Sequence, residues 1–137
     1  MKQQIVFLTG ASAGIGETTA KMLVDAGAVV YGASRRLAMA YQNQQSGGEF
    51  VPVQLDVNDE LQLGSAVQRI IEERGCLNVV IANAGNGLAG SVEDASSEEV
   101  KYQFETNFFG VVKTIQTCLP VFRKQGYGRV IAVSSVA

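Results

Sequence analysis

Five short apolar runs recur along the chain, at residues 5–8, 29–31, 50–55, 79–82 and 130–133. Each is rich in β-branched residues and nearly continuous in hydrophobicity, where a strand with one wet face would alternate. That is the pattern of strands buried on both faces. Pro52, inside the third run, has no N–H to donate to a ladder and suits an edge position. Between the runs the spacing becomes helical. Ile15, Thr19, Met22, Leu23 and Ala26 fall on one helical face, with Gly27 as the C-cap. Residues 36–45 predict a second helix ahead of a Ser46-Gly47-Gly48 turn. A third is expected over residues 59–74 behind Asn58 as its cap, with Leu63, Val67, Ile70 and Ile71 inward and Gly75 at its end. The fourth is the longest. Ser96 and Glu99 form a capping box, and Val100, Phe104, Phe108, Val111, Ile115, Leu119 and Phe122 continue one stripe.

Strand and helix therefore alternate through all 137 residues, with no repeat, linker or low-complexity stretch to divide them. The expectation is a single domain over residues 1–137. Its class is α/β: a doubly wound, Rossmann-like parallel sheet of five strands in the order 3-2-1-4-5, with helices on both faces. In such sheets a ligand binds beyond the carboxyl ends of the strands where the order reverses, here between the first strand and the fourth.

Composition narrows the chemistry. The net charge is −2 and the basic residues are scattered, so no phosphate-tracking stripe exists and nucleic acid is not expected as a partner. No run approaches the roughly 18 apolar residues of a membrane span, and residues 5–8 are too few for a secretory signal. A cytoplasmic protein without membrane contact is expected. Cys76 and Cys118 lie far apart with no CxxC, which reads as two buried, reduced thiols rather than a bridge or a metal site. The absence of histidine removes Ser-His-Asp triads, His general bases and His metal sites together.

Three small, polar segments fall at the ends of strands. Thr9-Gly10-Ala11-Ser12-Ala13-Gly14-Ile15-Gly16 follows the first run and opens the first helix, Asn83-Ala84-Gly85 follows the fourth, and Ser134-Ser135 follows the fifth. Glycines let a backbone turn sharply and approach a pyrophosphate, whose charge is stabilised by free N–H groups and the helix dipole. The spacing, G-x3-G-x-G, differs from G-x-G-x-x-G, and no Gly-Lys-Ser/Thr follows to make a P-loop. Taken singly, Asn-Ala-Gly or Ser-Ser would be ordinary turn chemistry. At one edge of one sheet they line a site.

In order and spacing, TGASAGIG, the ANAG tetrapeptide, Asn107 in the long helix and GRVIAVSS resemble the short-chain dehydrogenase/reductase family over essentially the whole chain. The resemblance implies an oxidoreductase that moves a hydride between a nicotinamide dinucleotide and a small carbonyl or alcohol substrate. It implies that Gly10, Ser12, Gly14, Ile15 and Gly16 surround the pyrophosphate, that Asp56 and Val57 lie along the adenine, and that Asn83, Ala84 and Gly85 support the ribose side. Where NAD-preferring members carry an acidic residue this chain has Ser34, followed by Arg35, a charge-assisted partner for a 2'-phosphate. NADP(H) is therefore expected over NAD(H), although Ala13 stands where the family often has a second phosphate-reading base. Ser135 matches the family's carbonyl-polarising Ser and Asn107 its proton-relay Asn. Its Tyr-x-x-x-Lys pair is missing: four residues beyond Tyr31, Tyr41, Tyr102 and Tyr127 stand Arg35, Gln45, Thr106 and Ile131. A phenol without a neighbouring cation, at a pKa of about 10, is a poor acid near neutrality.

The chain thus reads as the first half of such a reductase, incomplete relative to the family and not expected to turn over alone. The rival readings are an inactive nucleotide-binding fragment and an interaction module. By the same resemblance the fifth strand and the long helix lack their usual neighbours, so a homo-oligomer is expected.

Overall fold

The computed structural model describes residues 2–135. Five parallel strands form its centre: β1 (Ile5–Thr9), β2 (Val29–Ser34), β4 (Gly48–Gln54), β5 (Val79–Ala82) and β6 (Arg129–Ala132), with the short β3 (Tyr41–Asn43) added antiparallel at one edge. The sheet runs β3-β4-β2-β1-β5-β6. Its parallel strands keep the expected order. The sixth strand is a correction to the expected five.

Residues 36–45 do not form the expected helix. The stretch contributes β3 instead, because the edge of β4 offers it a ladder and an aromatic partner. Tyr41 stacks on Phe50 with ring centroids 5.0 Å apart, and the Asn43 carboxamide oxygen accepts from the backbone N–H groups of Gln45 and Ser46 to close the hairpin. Pro52 lies past the β3 register, which ends at Tyr41 opposite Phe50, so β4 is the edge at that point.

Alternate residues of the strands feed two cores. Ile5, Phe7, Val29, Tyr31 and Val80 face α2 (Glu60–Arg74) and α4 (Gly110–Gln125), where Leu63, Val67, Ile70, Cys118 and Phe122 meet them. On the other face Val6, Leu8, Val30 and Ile81 pack under α1 (Gly14–Asp25). Two buried faces account for the unbroken apolar runs of β1, β2, β4 and β5, whereas β6, expected to be buried in the same way, is an exposed edge strand along its whole length. Cys118 lies in the first core without a disulfide, and burial pushes its thiol up to about 12.

Three helical details differ from expectation. α1 turns Gly16, Ala20 and Val24 inward, while Ile15 is 69% exposed and Met22 68%. Small residues let the helix approach the sheet closely, a criterion that hydrophobic spacing does not register. α2 is capped by Asp59 rather than Asn58, its carboxylate accepting from the N–H groups of Leu61 and Gln62. The long helix is interrupted. α3 (Ser97–Phe104) begins at the capping box, a π-helical turn spans Glu105–Phe109, and α4 follows. One extra residue in that turn rotates the downstream face by about 100°. The buried set becomes Gly110, Thr114, Cys118 and Phe122, while Phe104 and Phe108 from the expected stripe are 59% and 56% exposed. No described helix is long and apolar enough to cross a membrane.

Candidate functional site

Because the central strands are parallel, their carboxyl ends share one edge, and the crossovers on either side of β1 leave in opposite directions there. A cleft of about 610 Å³ opens at that point. Of the residues expected to hold a dinucleotide, Gly10, Ser12, Ile15, Gly16, Ser34, Arg35, Asp56, Val57, Asn83, Ala84 and Gly85 all line it, with Leu55, Tyr102 and Thr106 among the others. Gly14 lies just outside, at the first position of α1, with φ +56.

The floor of the cleft is built by close backbone approach. Gly10 has φ +70, and a Cβ there would come within 2.8 Å of the Ala84 Cα. A Cβ on Gly16 would lie 2.0 Å from the Gly10 carbonyl oxygen. The first and third glycines of the motif therefore touch each other and the β5 loop. Ala13 is the N-cap of α1 and carries no side-chain cap, and the helical ladder starts with the Glu17 N–H on the Ala13 carbonyl at 3.3 Å. The first-turn N–H groups thus have no acceptor within the helix, at the positive end of its dipole. Donors without a side-chain cap suit an anionic pyrophosphate.

Thr9, which is 1% exposed, ties β1 to β5. Its hydroxyl accepts from the Asn83 and Ala84 N–H groups at 3.0 and 3.1 Å. In return the Asn83 amide nitrogen donates to the carbonyls of Thr9 and Gly10 at 3.1 and 3.3 Å. In the sequence Thr9 stands out only as the start of the glycine motif. A threonine ending an otherwise apolar strand was the available signal.

The β4 side is held by a second network. The Asp56 carboxylate accepts from the Asn58 N–H at 3.0 Å, the Asn58 amide donates to the Thr106 hydroxyl at 3.1 Å, and Lys113 donates to the Asn58 carbonyl at 3.3 Å. Lys113 is paired with Glu105, whose carboxylate holds the ammonium pKa above its ordinary value. At the tip of β2 the Ser34 hydroxyl donates to the Arg36 carbonyl. The Arg35 guanidinium reaches across the cleft and donates to the Tyr102 hydroxyl at 2.8 Å. Nothing in the local sequence marks Tyr102 or Thr106 as site residues; the chain reversal through β5 brings them there.

Asn107 and Ser135 are not among the residues lining the cleft. Asn107 stands in the π-helical turn with both amide atoms engaged by one residue: its oxygen accepts from the Asn86 N–H at 2.8 Å and its nitrogen donates to the Asn86 carbonyl at 2.6 Å. It thereby fixes the loop that follows Gly85. Ser135 is exposed beyond the end of β6, at the same sheet edge.

Residues 4–137 match the short chain dehydrogenase family. A 3-ketodihydrosphingosine reductase from Bacteroides thetaiotaomicron is 41% identical over 136 residues, covering 99% of this chain and 48% of that protein. A Haemophilus influenzae protein named "Probable NADP-dependent dehydrogenase" is 33% identical, covering 100% of this chain and 55% of that one. Among solved structures, a 3-ketoacyl-ACP reductase from Sinorhizobium meliloti superposes with a TM-score of 0.82 at 29% identity, over 96% of this chain and 53% of that one. The chain spans about half the length of these relatives. With the family match running through the glycine motif, the cleft and β6, the chain belongs to the short-chain dehydrogenase family.

Proposed function

We propose that this chain is the NADP(H)-binding portion of an oxidoreductase acting on a small carbonyl or alcohol substrate. The observation that carries the reading is the cleft at the sheet's switch point, where the uncapped start of α1 and the glycine floor meet the Arg35 guanidinium. When bound, the nicotinamide would supply or accept a hydride. The first turn of α1, with Gly10, Ser12, Gly14, Ile15 and Gly16, holds the pyrophosphate by its N–H groups. Asp56 and Val57 flank the adenine, and Asn83, Ala84 and Gly85 back the ribose. Ser34 presents no charge against a 2'-phosphate and Arg35 meets it. Asn107 and Ser135 belong to the reacting end. The NADP wording in the name of the Haemophilus influenzae relative supports the same cofactor.

The expected result is tighter binding of NADPH than of NADH. A hydrogen bond to a charged group contributes roughly 1.5 to 3 kcal/mol, about ten- to a hundredfold in affinity. Titrating both cofactors against wild type and Arg35→Ala measures this. Equal affinities, or no change on substitution, would remove the NADP preference.

The setting we propose is the cytoplasm, in keeping with two unbonded, buried thiols.

Self-association is the remaining element. Val130, Ile131 and Val133 at the β6 edge are exposed, as are Phe104, Phe108 and Phe109. An open apolar strand edge and an aromatic face of this kind favour a dimer or larger assembly. Light scattering over a concentration series should show a mass that rises above the monomer, and Val112→Glu, on the half-buried flank of that face, should return it toward the monomer. A well-folded monomer at every concentration would discard the idea.

A further inference from the structure

The hydrogen bond between Arg35 and Tyr102 joins segments 67 residues apart, and both residues line the cleft. We propose that Tyr102 is a positioning residue that holds the Arg35 guanidinium over the open end of the cleft, directing its remaining N–H groups at a phosphate monoester on the ribose of the bound dinucleotide. The inference rests on the reading of Arg35 above and deepens it by naming what makes that arginine selective.

The backbone at Arg35 is already tied down: its carbonyl accepts from the Gln54 amide at 3.1 Å, and the Ser34 hydroxyl donates to the next carbonyl. Its side chain is not. Among the described residues Arg35 has no ion-pair partner, and Tyr102 is the acceptor its guanidinium meets. A free arginine carries rotamer entropy that binding an anion must overcome. Fixing the side chain beforehand removes part of that cost. The chemistry of the partner matters as well. A carboxylate at position 102 would neutralise the guanidinium and compete with phosphate. A phenol takes one of five donors, leaves the charge intact, and keeps its own O–H to give to a phosphate oxygen.

Tyr102 has a firm base from which to do this. The capping box of Ser96 and Glu99 sets the start of α3, and the turn below is fastened to the β4 loop by Asn58, Thr106 and Lys113. α3 itself buries no residue, so its placement beside the cleft depends on such polar ties.

The test is a double-mutant cycle on the chain with NADPH and NADH as probes. Tyr102→Phe removes only the hydroxyl from a half-exposed ring, so the melting temperature should stay at the wild-type value. NADPH affinity should fall three- to tenfold, NADH affinity should not change, and in an Arg35→Ala background the substitution should have no further effect. If Tyr102→Phe binds NADPH like wild type while Arg35→Ala weakens it, the positioning role is overturned and the reading of Arg35 survives. Equal loss for NADPH and NADH also overturns it, since a selective guanidinium would not be the target. If Arg35→Ala leaves NADPH affinity unchanged, the reading of Arg35 fails and the role of Tyr102 falls with it.

Discussion

Replacing Thr9 with valine should cost about 3 kcal/mol of stability and detach the β5 loop from the floor of the cleft. Valine keeps the shape and the burial of the side chain, so packing is nearly unchanged. What disappears is the hydroxyl oxygen that accepts from the N–H groups of both Asn83 and Ala84. Each buried donor left without an acceptor costs roughly 1–3 kcal/mol, and both residues are at least half-buried. In a chain of 137 residues this corresponds to a fall in Tm on the order of 10 °C. Thr9→Ser, which keeps the oxygen and gives up one methyl, should lose only about 1 kcal/mol. Thermal melting of the pair separates the two contributions. A Thr9→Val protein as stable as Thr9→Ser would show that the loop N–H groups find other acceptors, and that the β1–β5 tie does not organise the site.

Gly16→Ala is expected to be nearly as damaging, although it adds a single methyl. The new Cβ would lie 2.0 Å from the Gly10 carbonyl oxygen and 2.7 Å from the Asn83 amide nitrogen. The first contact cannot yield easily, because Gly10 is itself pressed against Ala84 and its carbonyl accepts from Asn83. Overpacking of this kind costs about 1–3 kcal/mol, and contact with backbone places it at the upper end. Alanine's better helix propensity returns at most about 1 kcal/mol. The net loss should be about 2 kcal/mol, and NADPH affinity should fall on the order of tenfold or more as the first turn of α1 is displaced from the proposed pyrophosphate position. Calorimetry and cofactor titration on the same variant read both effects. Unchanged melting and unchanged NADPH affinity would mean that the helix slides away without disturbing the site, and that the glycine is not needed for close approach.

The chain's own residues determined the architecture. Runs apolar on both faces, separated by helical spacing, leave a doubly wound parallel sheet as the arrangement that buries them, and parallel strands must end at one edge. This is why Gly10, Ser34, Asp56 and Asn83, which stand at the ends of four different strands, come together around one cleft. What the tertiary structure decided has a different physical origin in each case. The inward face of α1 is set by how near two backbones can come, which selects Gly16 and Ala20 over the more hydrophobic Ile15 and Met22. β3 exists because the edge of β4 and the Phe50 ring were there to receive it, against a local pattern that read as helix. The π-helical turn depends on contacts that its residues make outside their own helix: Asn107 with Asn86, Thr106 with Asn58, and Lys113 from the next turn with the Asn58 carbonyl. Arg35 and Tyr102 meet across 67 residues. Periodicity reports how a segment partitions between water and core, but a hydrogen bond or a van der Waals contact between distant segments exists only once the chain has brought them within reach.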